Sequence, residues 1–308
     1  MQSPSLTDAK RVAVAVKHIQ EHGYYIMENA LSIAMCDALL NAIKKMENDD
    51  VPLSLKNKFH GFQTARFYDL LNYAPIWQEL VTHPLLLNTM RGVLGPDCLL
   101  NTYGTSIIGP GERAQPIHVD DGPFISAPNA TPLRHRGFNS KEGARESIVV
   151  NTIIALCDFT EDMGATRYLP DSHKLPYPRP EELEELMQKS KPAVMPKGSI
   201  FFFDGQCYHA GGTNATTDTR RYAISADFCA GYLRTQENFI LSIPRSRIER
   251  FSTDLQEIIG FKISRGGLGH VYNHQPTGAM TKVAMRNSAT YYDKHDAGNG
   301  VSTQNSRL

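Results

Sequence analysis

The sequence predicts a mainly-β chain: a sandwich or barrel of short strands with helices packed around it. Three observations predict this. From Leu99 onward, short β-rich runs alternate with turns rich in Gly, Pro, Asn and Asp. Before Leu99, apolar residues recur at helical spacing instead. The chain also has 308 residues, 41% of them hydrophobic, enough to bury a core without disulfides or a structural metal. No internal repeat or low-complexity linker forces a second domain. Residues 1–265 therefore read as one domain, helical over 1–98 with its β core over 99–235. Residues 266–308, rich in Gly, Asn and Ser, read as an extended or partly disordered arm.

The elements follow in order. Thr7 and Asp8 cap a first helix whose face carries Val12, Val16 and Ile19, and Gly23 ends it. Tyr24 to Met27 is a short strand. A second helix covers Ser32 to Met46, with Ile33, Cys36, Leu40 and Ile43 on one side. A third covers Ile76 to Leu94, with His83-Pro84 breaking or kinking it. Strands are expected at Leu99 to Ile108, Ser147 to Leu156, Arg167 to Leu169, Ala193 to Met195, Ser199 to Phe203 and Arg221 to Tyr232. A small acidic helix, Glu181 to Gln188, sits in a connection.

Charge and cysteine usage narrow the function. Lys plus Arg is 32 and Asp plus Glu is 32, so the formal net charge is zero. A nucleic-acid binder or a polybasic membrane anchor would show a basic excess. No apolar run approaches the ~20 residues of a membrane span, and Met1 to Lys17 lacks the apolar core of a signal peptide. Five widely spaced cysteines without a CxxC pair read as reduced, mostly buried thiols, which points to the cytoplasm.

The chemistry concentrates in Gln115-Pro116-Ile117-His118-Val119-Asp120. Residues two apart in a strand share a face, so His118 and Asp120 can reach one metal together. The best third ligand is His209, just after the apolar run Ser199 to Phe203 and before Gly211-Gly212. Two histidines and one carboxylate leave open positions, the facial arrangement of non-haem iron oxygenases. Eleven residues after His209 comes Arg220, at the start of a strand. A buried guanidinium there would fork onto a carboxylate. Arg221 is its neighbour, and adjacent strand residues point oppositely, so only one of the two faces the site.

This set resembles the phytanoyl-CoA dioxygenase family of Fe(II)/2-oxoglutarate-dependent oxygenases. The resemblance spans roughly Val12 to Phe261. Gln115-Pro-x-His-x-Asp, Phe159-Thr160-x-x-x-Gly164-Ala165-Thr166, Asp171-Ser172-His173 and His209-Ala-Gly-Gly look most like its fungal secondary-metabolite branch. It implies a double-stranded β-helix, the cupin-like jelly roll, with flanking α-helices. It implies that His118, Asp120 and His209 bind Fe(II), and that 2-oxoglutarate and O2 are co-substrates. Family register assigns Arg220 to the far carboxylate of 2-oxoglutarate, with Gln115 and Thr166 assisting. Phe67, Tyr103, Phe124 and Asn151 are candidates for lining the substrate pocket. The implied reaction oxidises a polycyclic natural product, such as a meroterpenoid or alkaloid, by hydroxylation, desaturation, epoxidation, rearrangement or endoperoxidation. Succinate and CO2 leave. Branch members also imply a homodimer in which residues beyond Ser264 approach the partner's site. The alternatives are hydroxylation of an acyl-CoA or other small metabolite, a non-catalytic subunit of a heteromeric oxygenase, and a zinc hydrolase on the same ligands. The last would leave Arg220 without a purpose.

Overall fold

The computed structural model describes residues 6–54, 56–122, 146–176, 178–272 and 274–279. Helix α1, Leu6–His22, buries Ala15 and Ile19. Gly23 ends it at φ +82°, its N–H on the Ile19 carbonyl at 2.8 Å. A Cβ there would lie 2.6 Å from His173 Nδ1, so only glycine fits this turn. Strand β1, Tyr24–Met27, follows directly. Helix α2, Ile33–Asn48, starts where Ser32 Oγ accepts from the Met35 N–H at 3.2 Å, an N-cap.

The helical stretch expected from Ile76 to Leu94, with a break or kink at His83-Pro84, is two helices, α3 (Pro75–Val81) and α4 (Pro84–Leu94). Pro84 cannot donate within a continuing helix, but it opens a new one at no cost. In a connection within the β region, 3₁₀ residues Pro180–Glu182 lead into α5, Leu183–Lys189. Three short helices, α6 (Phe239–Ser242), α7 (Arg245–Ile248) and α8 (Thr253–Ile258), were not expected. Their Phe239, Ile248, Leu255 and Ile258 join the main core. Pieces of four to six residues are too short to show a helical period in sequence.

The strands are β2 (Thr64–Ala65), β3 (Leu99–Ile108), β4 (Val149–Ala155), β5 (Arg167–Tyr168), β6 (Lys191–Pro192), β7 (Ile200–Asp204), β8 (His209–Ala210) and β9 (Arg221–Cys229). They form an antiparallel six-stranded sheet, ordered β1-β7-β4-β9-β3-β2, and a three-stranded sheet, β6-β5-β8. The segment around His118 extends the smaller sheet through an antiparallel bridge to His209. These are the two layers of a jelly roll with helices outside the larger sheet.

Alternation along the strands divides the larger sheet into two faces. Tyr103 and Ile107 of β3, Val150 and Ile154 of β4, and Ile224, Ala226 and Phe228 of β9 pack with the helices in the main core. The opposite face looks into the jelly roll. There Thr102, Gly104 and Ser106 of β3, Asn151 and Ile153 of β4, and Arg221, Ser225 and Asp227 of β9 line one cavity. All five cysteines are free thiols. Among the described residues, no helix is long and apolar enough to cross a membrane. The arm expected over 266–308 lies mostly outside the described residues.

Candidate active site

His118, Asp120 and His209 converge. Their ligand atoms lie within 4.8 Å of one another. Backbone pairing brings this about: the His118 and His209 N–H groups each donate to the other residue's carbonyl at 3.0 Å, and the Asp120 N–H donates to Gly205 O at 2.8 Å. Each imidazole is oriented by its inner nitrogen. His118 Nδ1 lies 2.8 Å from Pro116 O, and His209 Nδ1 lies 3.0 Å from Cys207 O. A carbonyl only accepts, so Nδ1 carries the proton on both rings, and both Nε2 lone pairs are left for a ligand. These Nε2 atoms face the Asp120 carboxylate, at 3.6 Å from Oδ1 for His118 and 3.1 Å from Oδ2 for His209. Asn151 Nδ2 donates to Asp120 Oδ2 at 2.6 Å.

The electrostatics suit a cation. Burial, then His209, pushes the His118 imidazole down to about 4, so it is neutral near pH 7. Burial opposes the Asp120 charge. His209, His118 and the Asn151 hydrogen bond together outweigh it and hold the carboxyl down at about 2. Burial also opposes charging of His209, but Asp120 beside it wins and raises that imidazole. The result is a carboxylate and two oriented imidazoles in a shielded spot.

The triad opens on a cavity of about 240 Å³, and Arg221 lies in its wall. Arg221 is 1% exposed. Its Nη1 donates to the Gly164 carbonyl and lies 3.5 Å from Thr166 Oγ1, while Nη2 lies 3.5 Å from Ser106 Oγ. Its guanidinium also stands over the Phe159 ring at 4.8 Å. Nε has no partner, and no carboxylate pairs with this guanidinium among the described residues. Burial, then Arg66, lowers it to about 9, still a cation at neutral pH. A buried, uncompensated guanidinium is costly, so the site is built to receive an anion. Arg66 lines the same cavity, and its Nε is likewise buried without a partner.

This corrects the expectation for Arg220. That residue points to the opposite face of β9, where Nη1 pairs with Glu47 of α2 at 2.8 Å and donates to Tyr222 Oη at 3.2 Å. Two further expectations are corrected. Tyr103 and Phe67 do not line the cavity: Tyr103 by its parity on β3, and Phe67 in the segment after β2, both pack in the main core. Tyr103 is fully buried, and its hydroxyl donates to Trp77 O at 2.9 Å. Thr166 and Gln115 do line the cavity. Gln115 is engaged at both ends: Nε2 donates to Phe59 O at 2.8 Å and Oε1 accepts from the Gly211 N–H at 2.8 Å. Asn151 is at the cavity, bonded to Asp120. Phe124 lies outside the described residues. Arg66 and Asp227 also line the cavity, and no ion pair holds Arg66 among the described residues.

A model of the family described as phytanoyl-CoA dioxygenase matches residues 19–222. The chain is 32% identical over 215 residues to dioxygenase aneA of Aspergillus aculeatus, covering 68% of each chain. It is 33% identical over 204 residues to dioxygenase swnH1 of Arthroderma benhamiae, covering 65% of this chain and 61% of that one. The chain thus spans about two thirds of these relatives' length. Two solved structures share its fold. One is the non-haem α-ketoglutarate-dependent epimerase SnoN from nogalamycin biosynthesis, with TM-score 0.55, 18% identity, and coverage of 72% of this chain and 84% of that one. The other is HygX from Streptomyces hygroscopicus with nickel and 2-oxoglutarate bound, with TM-score 0.58, 13% identity, and coverage of 73% and 89%. The residues present fit the family's cofactors. The two-histidine, one-carboxylate donor set suits iron(II), and the buried Arg221, with no carboxylate partner among the described residues, suits a carboxylate of 2-oxoglutarate. With the family model matching residues 19–222 and the donor set intact, the chain belongs to the phytanoyl-CoA dioxygenase family, as a non-haem iron, 2-oxoglutarate- and O2-dependent dioxygenase of its fungal branch.

Proposed function

We propose that this protein oxidises a small natural product of fungal secondary metabolism, releasing succinate and CO2. The observation that carries the reading is Arg221, a buried cation without a carboxylate partner, in the wall of the cavity onto which the triad opens. When bound, iron and 2-oxoglutarate supply the oxidation with O2. His118, Asp120 and His209 would hold the metal on one side only, leaving the cavity side free. Arg221 would bind the far carboxylate of the keto acid, with Thr166 beside it, and Arg66 adds a second positive charge to that end. Gln115, tied to Phe59 O and Gly211 N, holds the cavity floor in place.

The intact triad argues against a non-catalytic subunit. The described lining is mixed, with Asn101, Thr102, Ser225 and Gln236 beside Phe59, Ile108, Ile153 and Phe203, and so does not by itself favour a meroterpenoid. A homodimer belongs to this proposal too. Removal of residues 266–308 with unchanged oligomer size and activity would refute a role for the arm.

The test is anaerobic. Fe(II) and 2-oxoglutarate added to the metal-free protein should give a weak visible charge-transfer band. The band should vanish in His209→Ala and Asp120→Ala, and need far more 2-oxoglutarate in Arg221→Ala. A wild type without the band would overturn the reading.

A further inference from the structure

Asp171-Ser172-His173, one of the motifs of the resemblance, does not line the cavity. Asp171, at φ +62°, turns the chain into a 3₁₀ segment, Ser172–Lys174. The Asp171 N–H donates to His22 O at 2.9 Å, which seats this turn against the end of α1. Ser172 is fully buried, as is Cys207 beside it. Ser172 Oγ donates to Leu169 O at 2.6 Å and accepts from the Tyr208 N–H at 2.8 Å. Cys207 Sγ packs at 3.4 Å from the same oxygen and 3.3 Å from Leu169 O.

What matters is which N–H the serine holds. The Tyr208 N–H and the Cys207 carbonyl belong to one peptide unit. Such a unit is planar and trans, so its N–H and carbonyl point in opposite directions. Ser172 Oγ holds it on one side. On the other side, Cys207 O takes the proton of His209 Nδ1 at 3.0 Å. Fixing the plane from the serine side therefore fixes where the carbonyl aims. The carbonyl in turn sets the plane of the imidazole whose Nε2 lies 3.1 Å from Asp120 Oδ2. A bonded N–H also polarises its own carbonyl, which strengthens the bond to His209. Resting on the dioxygenase reading above, we propose that Ser172 is a positioning residue for the metal, acting on the His209 ligand through the Cys207–Tyr208 peptide. The same loop receives the Asp120 N–H on Gly205 O at 2.8 Å, so holding it steady serves two of the three ligands. Alanine at 172 takes the acceptor away from a buried N–H, and the peptide plane then turns to recover one.

The experiment titrates Fe(II) anaerobically into the full metal-free chain, well below the melting temperature of each variant. It then records the charge-transfer maximum at saturating Fe(II) and 2-oxoglutarate. Ser172→Ala should need about tenfold more Fe(II) for half-saturation, the lower end of the penalty for losing a ligand's hydrogen-bond support. Its band should also shift, because the imidazole meets the iron at a different angle. Ser172→Thr keeps a hydroxyl oxygen in place and should restore both readings. Ser172→Cys puts a weaker acceptor there and should fall between alanine and wild type, which carries the test if Ser172→Ala does not fold. Tyr103→Phe removes a buried hydroxyl bond of the main core, the one to Trp77 O at 2.9 Å, and should leave both readings at wild type. Unchanged Fe(II) affinity in Ser172→Ala or Ser172→Cys overturns the proposal. So does a loss in Tyr103→Phe as large as theirs, or a Ser172→Thr that recovers nothing. A wild type that binds no Fe(II) refutes the dioxygenase reading instead, so the two failures are distinguishable.

Discussion

Asn151 holds Asp120: its amide nitrogen lies 2.6 Å from Oδ2, the oxygen that also faces His209 Nε2 at 3.1 Å. The two residues come from opposite layers of the jelly roll, Asn151 from β4 and Asp120 from the segment beside β8. The contact restrains one carboxylate oxygen and leaves Oδ1 for the metal. Asn151→Ala is expected to weaken Fe(II) binding by about 10–100-fold, the usual penalty for losing a ligand's hydrogen-bond partner. Asn151→Asp should do worse, because it sets a second carboxylate against the first. An anaerobic Fe(II) titration checks both, and unchanged affinity in Asn151→Ala would refute the role.

Arg221 and Arg220 make a matched pair for a second prediction. Truncating a buried, hydrogen-bonded charge costs about 2–5 kcal/mol against its ligand. Arg221→Ala should therefore raise the 2-oxoglutarate requirement by about 30-fold or more, and Arg221→Lys should recover only part, because an ammonium lacks the fork. Arg220→Ala breaks only a half-exposed ion pair to Glu47, worth about 0–1 kcal/mol. Its 2-oxoglutarate dependence should match wild type within about twofold. Succinate formation against 2-oxoglutarate concentration separates the two. The reverse pattern would restore Arg220 to the site.

The same pair shows what was legible in the sequence. The triad was, because His118 and Asp120 are two apart in one extended segment and His209 follows an unmistakable apolar strand. Counting eleven residues from His209 lands on Arg220, whereas strand parity lands on Arg221. Tyr222, Ile224, Ala226 and Phe228 form an apolar row that must face a core, and Ser225 and Asp227 share the other row with Arg221. That alternation would have identified Arg221. Parity also removes Tyr103, which alternates with Thr102 and Gly104 on β3. The Asn151–Asp120 contact and the place of Arg66 were not readable. Both depend on which strands become neighbours, β4 across from the metal segment and β2 beside β3, and no local pattern encodes a partner so distant.

Gly164 links a backbone requirement to the site. It sits at φ +80°, and a Cβ there would lie 2.8 Å from Gly212 O, while its own carbonyl accepts from Arg221. Gly164→Ala is expected to cost about 1–2 kcal/mol for the left-handed backbone alone, to lose more to the clash, and to raise the 2-oxoglutarate requirement. Gly111 is the control: φ is +76°, with nothing within 4 Å of a Cβ. Gly111→Ala should show the backbone cost in a thermal melt and leave 2-oxoglutarate dependence unchanged. Equal effects of both variants on that dependence would disconnect Gly164 from Arg221.

Glu237 sets a pH dependence away from the metal. Its Oε1 accepts from the Asp69 N–H and its Oε2 from the Tyr103 N–H, both at 3.0 Å. Burial outweighs these bonds and raises the carboxyl from 4.5 to about 7. A folded-state value above the unfolded one means the folded protein binds the extra proton. The resulting stability is fully present below about pH 4.5 and is lost as pH rises through about 7. Between pH 6 and pH 8.5 this group alone should withdraw about 1 kcal/mol. Glu237→Gln has no proton to lose, so its melting temperature should fall less than that of wild type over the same interval. At pH 6 the variant should be the less stable of the two, since an amide NH₂ then faces one of the two backbone N–H groups. Parallel melting curves across that pH range would show that Glu237 is already ionised in the folded protein, held by its two backbone donors in spite of burial.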